Sequence, residues 1–264
     1  MRWIGRAPLL ALAVAAAALS LLWTPYDPML MGAGPRLAPP SWAHALGTDA
    51  YGRDVASIVL AGSRTALSVA VAACALGLGV GAPLGLLAAA SGGWVEALVL
   101  RASDVAFALP ALLLAVLLSA ALGPGALSEV VAIGVFSAPV FARVTRAEAA
   151  RLWTREFVLA ARLAGRGRAR ISLDHIAPNL APTLVVQAAI QLSLAVVADA
   201  GLSYVGLGVQ PPQASWGRML AEAQTLYAAA PWLALAPGCA IVLTVLGFGQ
   251  MAAALRARLA PGEG

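Results

Sequence analysis

The sequence predicts an all-α fold: a polytopic membrane protein with about six transmembrane helices. Of its 264 residues, 61% are hydrophobic and only 11% are charged, whereas soluble domains average about 45–50% apolar and about 25% charged residues. The mean hydropathy is +0.86. Long apolar runs recur along the chain, and a helix needs about 20 such residues to cross a bilayer. This composition argues against a soluble enzyme and excludes a disordered chain.

The first three apolar runs cover residues 8–23, 66–90 and 105–122. The first follows two arginines and resembles a signal peptide, but five further runs follow it, so we expect a retained helix. In the second, glycines recur every fourth residue and predict close approach of another helix; they are Gly77, Gly81 and Gly85. The third has Pro110 near its start.

The last three runs cover residues 130–144, 183–198 and 232–255. The fourth is the weakest of the six, and we expect Pro139 to interrupt it because proline cannot donate a helical hydrogen bond.

All 17 basic residues are arginine. If the N-terminus is inside the cell, 13 arginines fall on the inner side and 4 on the outer side. Because inner loops carry the basic excess, both termini are expected to be cytoplasmic. This placement explains the net charge of +5 without nucleic acid. With no lysine, the chain cannot carry a standard Walker A site, so we expect neither ATP hydrolysis nor a bound cofactor here.

The segment between the fourth and fifth runs holds nearly half of the arginines. Its apolar residues recur at helical spacing and predict one apolar face, formed by Phe157, Ala160, Ala161 and Ala164. Gly165 is expected to end this helix, and Pro178 to end the segment that follows. Such a helix would suit a groove on a partner protein. The alternative is a basic loop that binds anionic lipid headgroups.

The spacing in this segment carries a family resemblance. LAARLAG, with Pro178 thirteen residues after Gly165, resembles the EAA loop of membrane subunits of binding-protein-dependent ABC importers. Leu159 stands in place of the glutamate, and Ala177 in place of a larger hydrophobic residue before the proline. In that family the loop forms a coupling helix that seats in a cleft of the ATPase subunit. The resemblance implies these coupling residues: Glu156, Phe157, Ala160, Ala161, Gly165, His175 and Pro178.

Three further motifs extend the resemblance over residues 44–259. HALGTDAYGRD, DHIAPN and GLSYVGLGVQPPQASWGRML each resemble segments of dipeptide, oligopeptide and nickel permeases. The chain is therefore identified as a member of that group, similar to its C-type subunit, with the type I ABC importer permease fold. Implied substrates are di- and oligopeptides, with nickel or a nickel chelate as the alternative.

The resemblance also implies the assembly. A second, B-type permease would complete the pathway, two ATPase subunits would bind ATP and Mg, and an extracytoplasmic binding protein would deliver substrate at the inner membrane of the cell. Within the chain we expect an N-terminal helix and periplasmic segment over residues 1–62. The transmembrane domain would cover 63–259, with the coupling loop near 147–182, and a cytoplasmic tail 260–264.

Several charged residues near the outer side are candidate functional residues. Asp49, Arg53 and Asp54 precede the second run, where they could cap a helix and pair at the surface or form part of the face near the binding protein. Asp199 lies at the outer end of the fifth run and could line the pathway and attract a cationic substrate group, or cap a helix break beside Gly201. His44 and His175 are expected on opposite faces, so no metal site is predicted.

Two other functional classes remain as competitors. A stand-alone secondary transporter would need internal repeats and titratable residues at mid-membrane, and the sequence shows no convincing example of either. An intramembrane enzyme would need a nucleophile motif or a carboxylate pair inside a span, and the sequence is expected to provide neither.

Overall fold

A computed structural model describes residues 8–108 and 110–259, and its regular elements in these ranges are helices. Beyond the helices, the described residues show one isolated β-bridge, between Thr48 and Asp54. The helices, in chain order, are α1 (Pro8–Leu22), α2 (Val55–Ser91), α3 (Gly93–Ala108), α4 (Ala111–Leu122), α5 (Ala126–Trp153), α6 (Glu156–Leu163), α7 (Arg168–Ile171), α8 (Ala177–Tyr204), α9 (Trp216–Ala223) and α10 (Trp232–Leu259).

Four of the described helical stretches are long and apolar enough to cross a membrane: Val55–Ser91, Ala126–Trp153, Arg168–Tyr204 and Trp232–Arg258. A fifth span is possible where α3 and α4 form a bent pair, and α1 is a shorter apolar helix. Each of the six predicted apolar runs is therefore mainly helical in its described residues. The prediction of an all-α, multi-span membrane protein is confirmed, although only four runs lie in single helices of full spanning length.

The third run does not form the continuous helix that was predicted over residues 105–122. Its first residues belong to α3, and its remainder forms α4 after Pro110. The stretches Gly93–Ala108 and Leu112–Leu122 are bent by 89°. The physical reason is Pro110, which has no N–H for the helical ladder and whose ψ of 128° is not helical.

The close packing predicted from the glycine repeat is confirmed and forms the centre of the fold. A Cβ atom at Gly77 would lie 2.6 Å from the Ser137 Cβ, and one at Gly85 would lie 2.6 Å from the Thr145 Cβ. The backbones of α2 and α5 therefore meet where a side chain on α2 would not fit. This contact also explains why the expected interruption at Pro139 is wrong, because packing along the whole of α5 keeps it one helix.

The expectation that Pro178 ends a helical segment is also wrong. Residues 168–204 form one helical stretch, in which a π-helical turn, Ser172–Ile176, lies between α7 and α8. The Ala177 N–H donates to the Ser172 oxygen, five residues earlier. In an α-helix, a proline ring crowds the carbonyl four residues before it. For Pro178 that carbonyl belongs to Asp174, which lies within the wider π-helical turn. The helix can therefore continue through Pro178.

The segment between α1 and α2 and the first turns of α2 are fixed to the starts of α9 and α10. The Trp232 indole at the start of α10 donates to the Thr48 oxygen at 3.2 Å. The Trp216 indole at the start of α9 donates to the Val59 oxygen at 2.9 Å. Since α6 lies at the opposite ends of α5 and α8, this face is the outer face in the predicted orientation.

Candidate functional site

The short helix α6 is held by one apolar stripe against the C-terminal end of α5 and the N-terminal end of α8. Val158 and Ala161 are buried on that stripe. They belong to a cluster contributed by α5, α7, the π-helical turn and α8, with Ala149, Ile171, Ile176 and Leu180. Burying apolar side chains contributes about 25 cal/mol per Å², so the position of α6 follows that of the helices beneath it.

Outside this stripe, α6 exposes several apolar side chains, and the exposed Glu156 lies at helical spacing from Leu159 and Leu163. Phe157 is 40% exposed, Leu159 59% and Leu163 83%. Ala160 and Ala164 are exposed as well. The prediction that Ala161 belongs to the exposed apolar face is therefore wrong. Ala161 points into the protein because it packs with Val158 in the buried cluster.

Gly165 ends α6 as predicted. Its φ of +76° is a conformation that side-chain-bearing residues rarely adopt. The Gly165 N–H donates to the Arg162 oxygen at 2.9 Å, and the Arg166 N–H donates to the Ala161 oxygen at 3.1 Å. These two bonds form a Schellman motif, which satisfies carbonyl groups at the helix end.

Charged side chains surround the exposed face of α6. Asp174 Oδ2 lies 3.0 Å from Arg166 Nη1 and 3.4 Å from Arg170 Nε. The Arg162 guanidinium lies 5.0 Å from the centroid of the Trp153 ring. Charged side chains thus lie beside the apolar patch on α6, and protein interfaces commonly combine an apolar centre with a polar edge.

The remaining predicted coupling residues lie around this patch. The His175 ring packs edge-on against Phe157, with 6.5 Å between ring centroids, and its backbone oxygen accepts a bond from Asn179 Nδ2 at 2.6 Å. Glu156 lies in the first turn of α6, where a negative charge is favourable beside the helix dipole. Pro178 is exposed. The structure therefore brings the predicted coupling residues together in one region, with Ala161 on its buried side.

A second group of predicted residues lies at the opposite ends of the long helices from α6, the outer face in the predicted orientation. Asp49 accepts bonds from the backbone N–H groups of Tyr51 and Arg53, both at 2.8 Å, and from the Arg53 side chain at 2.5 Å. Arg53 also pairs with Glu222 of α9 at 3.0 Å. These side chains border a cavity of about 300 Å³ between the start of α2 and α9.

Asp54 has a structural position at the start of α2. Its side chain accepts from the Ser57 N–H at 2.9 Å and so caps the helix. The same carboxylate lies 2.9 Å from His44 Nδ1, and both side chains are buried. Asp54 therefore contacts neither the cavity nor solvent, in contrast to its neighbour Arg53.

Asp199 does not cap a helix break. The helix α8 continues past Gly201 to Tyr204, and Asp199 is buried within it beside Glu129 of α5. The expectation that no carboxylate pair lies inside a span is therefore wrong. Glu129 directly precedes the predicted run 130–144, which begins after it because the residue is charged. The helix begins one turn earlier, at Ala126, so Glu129 lies within the span.

Comparisons with known proteins agree on one family. Residues 81–261 match the family model described as binding-protein-dependent transport system inner membrane component. A di/tripeptide transport system permease protein of Pseudomonas aeruginosa is 40% identical over 243 residues, which are 90% of this chain and 80% of that protein. A glutathione transport system permease protein of Pectobacterium atrosepticum is 39% identical over 222 residues, 84% of this chain and 74% of that protein.

A solved structure is similar in fold. A chain from inward-facing conformations of the MetNI methionine ABC transporter superposes with a TM-score of 0.61 at 20% identity. The superposition covers 76% of this chain and 95% of that one. At this identity the likeness concerns the fold, and it agrees with the helical architecture described above.

Proposed function

Because the chain belongs to the family of inner membrane components of binding-protein-dependent transport systems, we propose that it forms one half of the translocation pathway of an ATP-driven importer. The observation that carries this proposal is the exposed apolar face of α6, outside the membrane-spanning stretches and fixed to two of them. A second permease, of the B type, would supply the other half of the pathway.

The apolar face of α6 is the proposed contact with an ATPase subunit. Phe157 and Leu163 are large side chains that water would surround in the isolated chain, and a groove on a partner would remove them from water. Two such ATPase subunits would bind ATP and Mg and hydrolyse ATP. This chain would contribute no residue to that reaction.

Movement of α6 would reach the membrane through the buried cluster. Val158 and Ala161 pack against residues of both α5 and α8, so a partner that moves α6 also displaces the inner ends of these two helices. A ligand shifts such an equilibrium only by its differential affinity for the two states. In this scheme, ATP bound by the partner subunits supplies that difference.

The proposed substrates are di- and oligopeptides. Support comes from the names of relatives at about 40% identity, which include a di/tripeptide and a peptide permease. An extracytoplasmic binding protein would deliver the peptide to the outer face, where Asp49, Arg53 and the 300 Å³ cavity lie. Nickel or a nickel chelate is the alternative substrate.

The proposed location is the inner membrane of the cell, with both termini and α6 in the cytoplasm. The arginine distribution supports this orientation. Described arginines cluster on the α6 side, including Arg162, Arg166 and Arg170, and Arg256 lies in the last turn of α10.

A purification from native membranes tests the ATPase contact. The test variant of the full chain is Leu163→Glu, on the exposed face of α6. The control variant is Leu30→Glu, at an exposed leucine in the segment between α1 and α2. We expect the α6 variant to lose its ATPase subunits and retain the second permease, because a buried carboxylate has no partner in an apolar groove. The control should retain both.

The opposite result would contradict the proposal. If the Leu163→Glu variant retains ATPase subunits in wild-type amounts, α6 is not the contact. If the wild-type chain purifies without any ATPase subunit and still transports peptide in vesicles without ATP, the chain is a secondary transporter.

A further inference from the structure

Two acidic side chains lie together inside the helix bundle, and the function proposed above does not use them. Glu129 is in the first turn of α5, and Asp199 is near the C-terminal end of α8. Each is 1% exposed, and the two carboxyl groups are neighbours. Ionisable groups inside a membrane protein are expensive to bury, and such residues commonly mark functional sites.

The segment after α8 closes over this pair. A Cβ atom at Gly208 would overlap the Ser203 hydroxyl and lie 2.9 Å from Glu129 Oε1. Ser203 is 3% exposed, so its hydroxyl and the Glu129 carboxyl meet at a point where only glycine leaves room. This group of Glu129, Asp199 and Ser203, which we call the acidic pocket, therefore lies within the protein and away from solvent.

Few hydrogen-bond donors reach the acidic pocket among the described residues: the Val209 N–H and the Ser203 hydroxyl face the Glu129 carboxyl. No hydrogen bond of good geometry is made, within the described residues, at Glu129 Oε1, Glu129 Oε2, Asp199 Oδ1 or Ser203 Oγ. The ion pairs of the described residues include neither acid. Two buried carboxylates that face each other without a cation are strongly destabilising when both are ionised.

The elements that pack against the acidic pocket supply no counter-charge in the described residues. Arg218 of α9 donates instead to the Val209 oxygen and to Gln210 Oε1, both at 3.2 Å. Arg64 of α2 and Tyr204 of α8 are exposed. The helix α4 and the outer half of α10 contain no Asp, Glu or Arg.

A single proton resolves this arrangement. An ionised carboxylate only accepts hydrogen bonds, whereas a protonated one also donates, and a bond from a carboxylic acid to a carboxylate is among the strong, charge-assisted kind. We propose that Glu129 and Asp199 form a proton-binding site in which one proton is shared between the two carboxyl groups, and the Ser203 hydroxyl donates to a remaining oxygen.

This site would join three parts of the outer side. Through the shared proton, α5 is bonded to α8, and the Ser203 contact adds the segment that contains Gly208. The proton would leave only when these parts separate and water hydrates both carboxylates. The proposal concerns this chain alone and does not depend on its ATPase partners or on its substrate.

Infrared spectroscopy of the purified full chain in lipid nanodiscs tests the site directly. A protonated carboxyl group has a carbonyl stretching band that ionised carboxylates lack. We expect this band at neutral pH, where solvated Asp and Glu are ionised. Labelling the side-chain carboxyl carbons of Asp and Glu with ¹³C should shift it, which identifies its source without any substitution.

Matched variants then assign the band. Glu129→Gln and Asp199→Asn should each abolish it, because an amide donates the hydrogen bond that the proton supplied and leaves a single ionised acid. Glu148→Gln is the control, since Glu148 lies on the same helix and pairs with Arg151; the band should remain. A wild-type chain without the band, a band that survives both pocket substitutions, or a band removed by adding sodium ions would each overturn the proposal.

Discussion

At the scale of single residues, buried polar groups show how this chain satisfies its hydrogen bonds outside the spans. Asp54 accepts from the Ser57 N–H and the Ser57 hydroxyl at 2.9 and 2.7 Å, and its other oxygen lies 2.9 Å from His44 Nδ1. One carboxylate therefore both starts α2 and fixes the segment that precedes it. Within the GTDAYGRD motif, Asp54 therefore has a structural role. Its neighbours Asp49 and Arg53 border a cavity instead.

We predict that Asp54→Ala destabilises the outer segment more than Asp54→Asn. Loss of an N-cap costs about 0.5–2 kcal/mol, and alanine also leaves the buried His44 ring without its partner, whereas asparagine can still cap. The thermal unfolding midpoint of the purified chain measures this. Asp27→Ala, at a carboxylate that accepts only the exposed Met29 bond in the described structure, should change it little, and equal effects of both Asp54 variants would contradict the explanation.

At the scale of helices, the sequence predicted contacts better than it predicted where helices end. The glycine repeat of α2 identified the α2–α5 contact because glycine at helical spacing has one steric consequence. Pro110 did break the third run, but Pro139 and Pro178 did not break α5 or the stretch 168–204. Local rules give the cost of a proline, whereas tertiary packing and a π-helical turn decide whether the helix can accommodate it.

The same difference between local and tertiary information applies to the sites. Spacing located α6 and its end at Gly165, because those follow from local geometry. It did not show that Ala161 faces the core while Phe157 and Leu163 remain exposed, since that depends on where α5 and α8 lie. Glu129 was missed because a charged residue at the edge of an apolar run gives no indication of the acid it will meet on another helix.

We predict opposite outcomes for leucine at two neighbouring glycines of α2. A Cβ at Gly81 would lie 2.7 Å from the Phe141 Cβ of α5, whereas Gly79 has nothing within 4 Å. Gly81→Leu should separate the two helices and remove most folded protein from the membrane fraction. Gly79→Leu should be neutral or stabilising, because glycine is about 0.8–1.0 kcal/mol less favourable in a helix than alanine. Fluorescence-detected size exclusion compares the amounts of folded protein for the two variants. Similar profiles would show that the α2–α5 contact does not require glycine at position 81.

At the scale of the whole molecule, the two candidate sites lie at opposite ends of the same helices. The α6 helix packs at the C-terminal end of α5 and the N-terminal end of α8, and the acidic pocket joins the other ends of these two helices. A rigid displacement of these helices by a partner at α6 would therefore change the relative positions of Glu129 and Asp199. This layout fits an importer in which the inner and outer sides open in turn.

That layout requires α6 in the cytoplasm and the segment before α2 outside, which cysteine labelling measures. The native thiols, Cys74 buried and Cys239 exposed, are first replaced by alanine. Leu30→Cys and Leu163→Cys then place one exposed thiol on each side. In intact cells with a permeable outer envelope, a membrane-impermeant maleimide should label the Leu30 position alone, and the Leu163 position should react only after the inner membrane is opened. The reverse pattern would place the arginine-rich side outside, against the charge asymmetry that orients membrane proteins, and α6 could then not meet a cytoplasmic ATPase.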